Sequence, residues 1–536
     1  MLRRISFRSP LLACILTILL VGGLLVPEPA RVDVSDSGLT AGTAKMVFAH
    51  YFPPYPISID NRDAASDYYS TDYLSPRGER GIHAEYGGFL RDRPLPRAPR
   101  PEQDWREQDL STEIGQAMSA GIDGFSVDIL VAHDSPGAWI APIPSMMLQA
   151  AEAADPAFKI MLMPDMTGEL GDMSPQGMAD EIALLAASPA AFRLADGRLV
   201  VSPYLAENRP VAWWRDFMAA MQTRNIDIAL VPLFLDPSDA NIDKFAPISY
   251  GMSAWGPRSP SNSPVSGFPL DTVRKVHSKS DVWMQPVAMQ DYRPRDETYD
   301  ESENTTNLRN TWQIAIDSGA EWVQLITWND YSENTQVAPS TRHGYALLEL
   351  MSYYIAYFKC GQPPSITEDK VFLSHRTQSV ASRPSRQRAL ARLRSKSSPG
   401  RDAVEALTFL TAPAKVILRV GDTVTVCDAS AGVSECLAPI GALTPKGSVV
   451  SVEVLRGRST VLKLVSPDRI IANPLYQDLS YVMLQTQATN PRSSLAHEQV
   501  QGVWFSASGT ADCGGTSDRT GVYSTRGRVR QHGGHA

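Results

Sequence analysis

The chain has 536 residues, more than one hydrophobic core normally organises, so two folded domains plus tails are expected. Hydrophobic residues make up 43% and charged residues 20%, the balance of a globular protein, and a net charge of -8 argues against nucleic acid as the main partner. Ten tryptophans on such a chain suit a neutral polymer.

In chain order, Arg3, Arg4 and Arg8 precede an apolar run over 11–26 and the polar Pro27-Glu28-Pro29-Ala30 stretch, the layout of a targeting segment. The run is short for a stable span and long for a signal core, so residues 1–30 read either as a cleaved signal peptide or as an N-terminal anchor. Both place the protein outside the cytoplasm, as a secreted, periplasmic or cell-surface protein, with this segment as its one route to a membrane. A small-residue linker follows over 31–44.

From residue 45 on, short apolar runs alternate with amphipathic stretches, as βα units on a parallel sheet do. Eight candidate strands lie at 46–52, 124–130, 159–164, 199–204, 228–235, 247–253, 282–288 and 322–328. Most are continuous apolar runs, as strands covered on both faces should be. Helical patterns start at Ser174-Pro175, Pro210 and Thr311, and Gly121 and Gly319 stand at two matching joints where a helix ends before a strand. Phe52-Pro53-Pro54-Tyr55-Pro56 occupies the place of a Gly-rich phosphate loop. The pattern predicts an α/β fold, a (β/α)8 TIM-type barrel over 45–362 closed by an apolar helix at 345–358.

After Gln362-Pro363-Pro364 the text changes to β-branched alternation, as in residues 416–426 and 448–454, which predicts a C-terminal antiparallel β-sandwich over 363–486. Its basic loop, 379–402, carries Arg383, Arg386, Arg388, Arg392, Arg394 and Arg401 and reads as a solvated loop. Residues 487–536, with Gly514-Gly515 and Gly533-Gly534, read as a disordered tail. Of five cysteines, Cys14 belongs to the leader, Cys360 and Cys513 stand alone, and Cys427 and Cys436 form a candidate local pair for an oxidising compartment.

In a barrel the strand C-terminal ends converge on the catalytic face. The polar residues there are His50 and Tyr51, Asp128, Asp165, Tyr204, Asp236, Tyr250 and Trp255, Gln285 and Gln290, and the segment Trp328-Asn329-Asp330-Tyr331-Ser332-Glu333. Such acids, amides and aromatics suit a sugar, whose hydroxyls need polar partners and whose ring faces stack on Trp or Tyr. Cleaving a glycosidic bond needs two carboxyl groups, one protonated and one ionised, and Asp330 and Glu333 supply such a pair. A helical turn after the eighth strand would bring both to one side, where repulsion and burial drive their proton affinities apart. The competing reading makes them a cap and a first-turn acid serving a helix dipole. Asp128 and Asp165 have a similar alternative as loop caps, and His50 as a hydrogen-bonded core residue. Gly251-Met252-Ser253-Ala254-Trp255 lacks the last Gly of a serine nucleophile elbow, and no zinc or phosphate-loop motif occurs, so no cofactor and no metal centre is expected.

Three segments carry a resemblance: Val47-Phe48-Ala49-His50-Tyr51-Phe52, Ala120-Gly121-Ile122-Asp123-Gly124-Phe125, and Thr327-Trp328-Asn329-Asp330-Tyr331-Ser332-Glu333. In order and together they resemble glycoside hydrolase family 71, the α-1,3-glucanases or mutanases, over residues 45 to about 360, and residues 404–413 look like that family's C-terminal sandwich. The resemblance implies a metal-independent, inverting hydrolase of an α-glucan, with Asp330 as base and Glu333 as acid. The related family 99 endomannosidases carry Glu at the first acidic position, so Asp330 favours the glucanase side. Ser332-Glu333-Asn334 replaces the more usual Gly-Glu-Ser, and the insert over 53–105 is placed to reshape the cleft. The alternatives are a non-catalytic polysaccharide-binding protein and an endo-mannosidase-like glycosidase related to family 99. The hydrolase reading requires both acids to face an opening.

Overall fold

The structure is a computed structural model that describes residues 44–444 and 446–486. The targeting segment, nearly all of the linker and the tail expected at 487–536 lie outside the described residues, as do Cys14 and Cys513.

Nine parallel strands form one sheet whose two ends belong to the same run of chain. Ile228–Leu230 pairs with Leu199–Val201, and Leu233–Phe234 pairs with Gly251–Ala254. Pro232 stands between the two halves and has no N–H to give to a ladder. With this run counted as one split fifth strand, the sheet closes into a (β/α)8 barrel. The other strands are Met46–Tyr51, Gly124–Ile129, Lys159–Pro164, Leu199–Val201, Gly251–Ala254, Val282–Val287 and Trp322–Leu325. The sixth begins later than the sequence pattern suggests, because Ala246–Ile248 forms a 3-10 turn ahead of it.

Alternate residues of each strand point to opposite sides. Phe48, Met161, Val200, Ala229, Val282, Met284 and Trp322 form one cluster, inside the barrel. Their chain neighbours Val47, Ile160, Val201, Leu230, Trp283 and Val323 join the larger core between strands and helices. Gly121 and Gly319 take φ of +86° and +73° where the helices Trp105–Ser119 and Thr306–Asp317 end, a conformation that a side chain would strain.

The 53–104 insert folds back over the segment after the eighth strand. Tyr55, Tyr69, Phe89 and Leu90 pack with Tyr331, and Asp92 accepts from Gln336 Nε2 at 2.8 Å and Thr341 Oγ1 at 2.7 Å.

The C-terminal part is a sandwich of two four-stranded antiparallel sheets. Val371, Leu373, Val404 and Ala406 of one sheet meet Val416, Leu418, Val452 and Val454 of the other. On its second face the first sheet presents Phe372, Leu407, Phe409 and Met483 to the barrel core, so Lys370–Arg376 is buried on both sides. Cys427 and Cys436 are disulfide-bonded, with Cα atoms 5.8 Å apart, and because their strands belong to different sheets the bond ties the sheets together. Cys360 is also disulfide-bonded rather than alone.

The basic loop is solvated as expected only in part: Arg383, Arg386, Arg388 and Arg392 are exposed, whereas Arg394 and Arg401 are half-buried. Arg392–Leu393 adds a strand to Thr298–Asp300 and Asp291–Arg293, two short strands above the seventh barrel strand. Of the arginines in the loop, Arg394 finds buried acids: its Nη1 lies 2.5 Å from Asp300 and 3.2 Å from Asp291.

Candidate active site

His50, Asp128, Asp165, Tyr204, Trp255, Asp330 and Glu333 come together at the C-terminal mouth of the barrel. The rings of His50 and Tyr204 each stand edge-on to Trp255 at 4.9 Å. His50 Nε2 lies 3.7 Å from Asp128 Oδ2. Burial drops the His50 pKa to about 3, so this is a neutral imidazole rather than an ion pair. Burial, then the charges of Asp165 and Asp330, hold the Asp128 carboxyl well above the usual range. Asp165 Oδ1 accepts from Thr167 N at 2.6 Å and Thr167 Oγ1 at 2.7 Å, which makes it a loop cap that also borders the site.

Asp330 and Glu333 sit in a turn after the eighth strand rather than in a helix. Asp330 Oδ1 accepts from Ser332 N at 2.9 Å, Ser332 Oγ at 2.7 Å and Glu333 N at 3.2 Å. The capping role is therefore real, but it uses one oxygen, and Oδ2 has no hydrogen bond among the described residues. Burial raises the Asp330 pKa against the pull of Ser332 and Arg293. Glu333 Oε1 meets Arg293 Nη1 at 2.6 Å, while Oε2 is buried with no partner. Its side chain keeps 14% exposure, so the Glu333–Arg293 contact is not wholly enclosed in the packed wall. Burial and the charge of Asp330 push its pKa up to about 8.

Several expected site residues lie elsewhere. Tyr51 follows His50 and so faces the opposite side, where its hydroxyl donates to Glu113 at 3.0 Å. Trp328 packs on Phe125 and donates to the other Glu113 oxygen at 3.2 Å. Gln285 also points to the helix layer, accepting from Trp283 Nε1 at 2.7 Å. Asn329 is consumed in holding the first loop: its Oδ1 accepts from Phe52 N at 2.7 Å and its Nδ2 donates to Tyr55 O at 2.8 Å. Tyr331 is buried with Tyr55 and Tyr69 behind the turn. Tyr250 precedes the late sixth strand and packs at the opposite end of the barrel, against Trp322 and under Arg198. Asp236 is exposed and bonds Asn241. Gln290 is buried, and its Oε1 accepts from Tyr481 N at 2.8 Å, in the C-terminal sheet.

Two arginines that sequence reasoning passed over complete the site. Arg293 bridges Glu333 and Asp291, the latter at 2.7 Å. Arg258 is buried, gives Nη1 to the carbonyls of Trp255 at 2.7 Å and Gly256 at 2.8 Å, and leaves Nε and Nη2 unpartnered near Glu333 and Asp291. Both arginines follow barrel strands at the catalytic face, a position that marks them in the sequence as well. Buried Asp128 Oδ1 and Trp255 Nε1 also lack partners. Bonding groups buried without a partner around one opening are what a polar ligand would satisfy.

Residues 100–493 match the model of glycosyl hydrolase family 71. An ascus wall endo-1,3-alpha-glucanase of Schizosaccharomyces pombe is 23% identical over 250 residues, 44% of this chain and 55% of the relative. A mutanase of Penicillium rubens is 26% identical over 306 residues, 51% of this chain and 62% of the relative. The alignments thus span little more than half the length of these relatives. Among solved structures, a GH99 endo-alpha-mannosidase from Bacteroides thetaiotaomicron superposes with a TM-score of 0.45 at 15% identity, covering 59% of this chain and 98% of that one.

Proposed function

Because the chain belongs to glycosyl hydrolase family 71, we propose that it hydrolyses α-1,3-glucosidic bonds of a polysaccharide by acid-base catalysis with inversion. The observation that carries this reading is the pair Asp330 and Glu333 at the barrel mouth, each with one carboxyl oxygen free of hydrogen bonds. With its pKa near 8, Glu333 holds a proton at neutral pH and donates it to the leaving glycosidic oxygen. Asp330, steadied through Oδ1 by its own turn, uses Oδ2 to take a proton from the attacking water. What supports inversion is the likeness of the Asp330 segment to the family motif. Sugar hydroxyls would satisfy Asp128 Oδ1, Trp255 Nε1 and the two free Arg258 nitrogens, and Tyr204 and Trp255 offer rings to the sugar face.

Action outside the cytoplasm belongs to the same proposal, and the Cys427–Cys436 disulfide supports it, since such bonds persist in oxidising compartments.

The test is incubation of the full chain with insoluble α-1,3-glucan, beside α-1,4-glucan and α-mannan. Reducing ends released from the first alone, with the β-anomer formed first by NMR, is the expected result. Asp330→Ala should lower the rate by on the order of 10² to 10⁴. Tight binding of glucan without any released ends would replace the hydrolase with a binding protein.

A further inference from the structure

A continuous chain of charges runs from the C-terminal domain to the acid of the barrel. Arg394, on the loop that seats Arg392–Leu393 beside the barrel, meets Asp291 Oδ1 at 3.2 Å. The other Asp291 oxygen holds Arg293 Nη2 at 2.7 Å, and Arg293 Nη1 holds Glu333 Oε1 at 2.6 Å. Asp291 is 1% exposed, so water does little to screen these contacts. The loop is fixed independently. Arg394 N donates to Tyr299 O at 2.9 Å, Arg392 N to Glu297 O at 2.8 Å, and Ser398 N to Ser259 Oγ at 2.7 Å.

We propose that Arg394 is a positioning residue of the active site, acting through Asp291 and Arg293 to orient Glu333 and set how firmly it keeps its proton. The sandwich domain is then part of the catalytic apparatus rather than a separate docking module. This rests on the reading of Glu333 as the acid.

The argument is one of charge balance around a single carboxyl. Glu333 is faced by Asp330 from its own turn, by Asp291 and Arg293 from the segment after the seventh strand, by Arg258 after the sixth and by Tyr204 after the fourth. Arg293 is shared between two carboxyls, with Nε and Nη2 on Asp291 and Nη1 on Glu333, and a second cation beside Asp291 would relieve that carboxyl's pull on it. Arg394 does so, and Asp300, 2.5 Å from it, keeps its guanidinium in place. Removing Arg394 leaves Asp291 to draw Arg293 away, and the local field becomes more negative. Both effects favour the protonated Glu333. Removing the Asp300 charge acts in the opposite sense.

The test uses the full chain with Arg394→Gln, Arg394→Lys, Asp300→Asn and, as a control, Arg388→Gln, an exposed arginine of the same loop. The alkaline limb of the pH–rate profile should move up by about half a unit or more in Arg394→Gln, move down in Asp300→Asn, and stay in place in Arg394→Lys and Arg388→Gln. The Glu333 carboxyl titration, read by 13C NMR against the Glu333→Gln spectrum, should follow the same order and needs no turnover. If the carboxyl titration shifts in a chain that cleaves no glucan, the charge chain stands and the hydrolase reading falls. An unmoved titration in a folded Arg394→Gln, or in Asp300→Asn where Arg394→Gln fails to fold, overturns the proposal.

Discussion

Arg293 holds Oε1 of Glu333 at 2.6 Å and leaves Oε2 of the same carboxyl buried and unpartnered. One oxygen is thereby anchored and the other left free to carry the proton, so the proton the acid gives up has a defined place. The same guanidinium also lowers the cost of the conjugate base once the proton has left.

Arg293→Gln should therefore affect both the pH profile and stability. Without the cation, the Glu333 pKa rises beyond about 8, and the alkaline limb of kcat/KM moves up by roughly one unit. Asp291 loses its close partner at the same time. Unfolding free energy should fall by a few kcal/mol, the usual result of breaking a buried pair from one side. A limb that stays in place, measured with thermal unfolding of the same sample, would mean that Arg293 serves the fold alone.

A second expectation follows from the sign of the Glu333 shift. Its folded pKa of about 8 lies above the ordinary glutamate value of 4.5, so the native state binds the proton more tightly than the unfolded chain does. That contribution to stability is complete below pH 4.5 and is lost as pH rises through about 8. Glu333→Gln, which stays neutral, should gain thermal midpoint relative to the wild type as pH rises across this window. It should lose activity by on the order of 10² to 10⁴ throughout. Midpoints of the two proteins that run parallel from pH 5 to 9 would contradict the burial of this carboxyl.

The strands were readable because a parallel sheet covered by helices turns its strands into unbroken apolar runs, and a run of residues such as Lys159–Pro164 has few other uses. The split at Pro232 and the 3-10 turn before Gly251 were not readable, and the second displaced Tyr250 to the far end of the barrel. Tyr51 and Gln285 were misplaced for a simpler reason. Adjacent strand residues cannot share a face, and taking both His50 and Tyr51 for one site ignores the pleat. Trp328, Asn329 and Tyr331 belong to the motif because they build its scaffold, through Glu113, Phe52 and the Tyr55 cluster. Arg394 lies 61 residues beyond Glu333 in the chain. Only the closed tertiary structure brings it near, and no local pattern distinguishes it from the exposed arginines around it.

Trp255 separates stacking from hydrogen bonding. Its ring lies between His50 and Tyr204, and its Nε1 is buried without a partner. Trp255→Phe keeps an aromatic face and removes the donor, so KM for soluble glucan oligomers should rise by about 5- to 10-fold, the equivalent of one neutral hydrogen bond. Trp255→Ala should lose more, since stacking goes too. Equal kinetics for Phe and wild type would show that no sugar hydroxyl reaches this nitrogen.

The last expectation concerns the joint between barrel and sandwich. Phe409 stands on the first sheet of the sandwich, and its ring meets Tyr353 of the helix Ala346–Cys360 at 4.8 Å and Phe372 at 5.5 Å. All three lie in or against the barrel core, and Phe409 is 0% exposed, so the two parts share apolar surface that neither buries alone. Phe409→Ala should cost about 3 to 5 kcal/mol, the range for emptying an aromatic site in a packed core. Because the loss falls on both parts, calorimetry should show one cooperative transition that moves down as a whole. A sandwich that melts separately while the barrel keeps the wild-type midpoint would mean that the parts fold independently. Arg394 would then be held near Asp291 by the short strands and loop contacts alone.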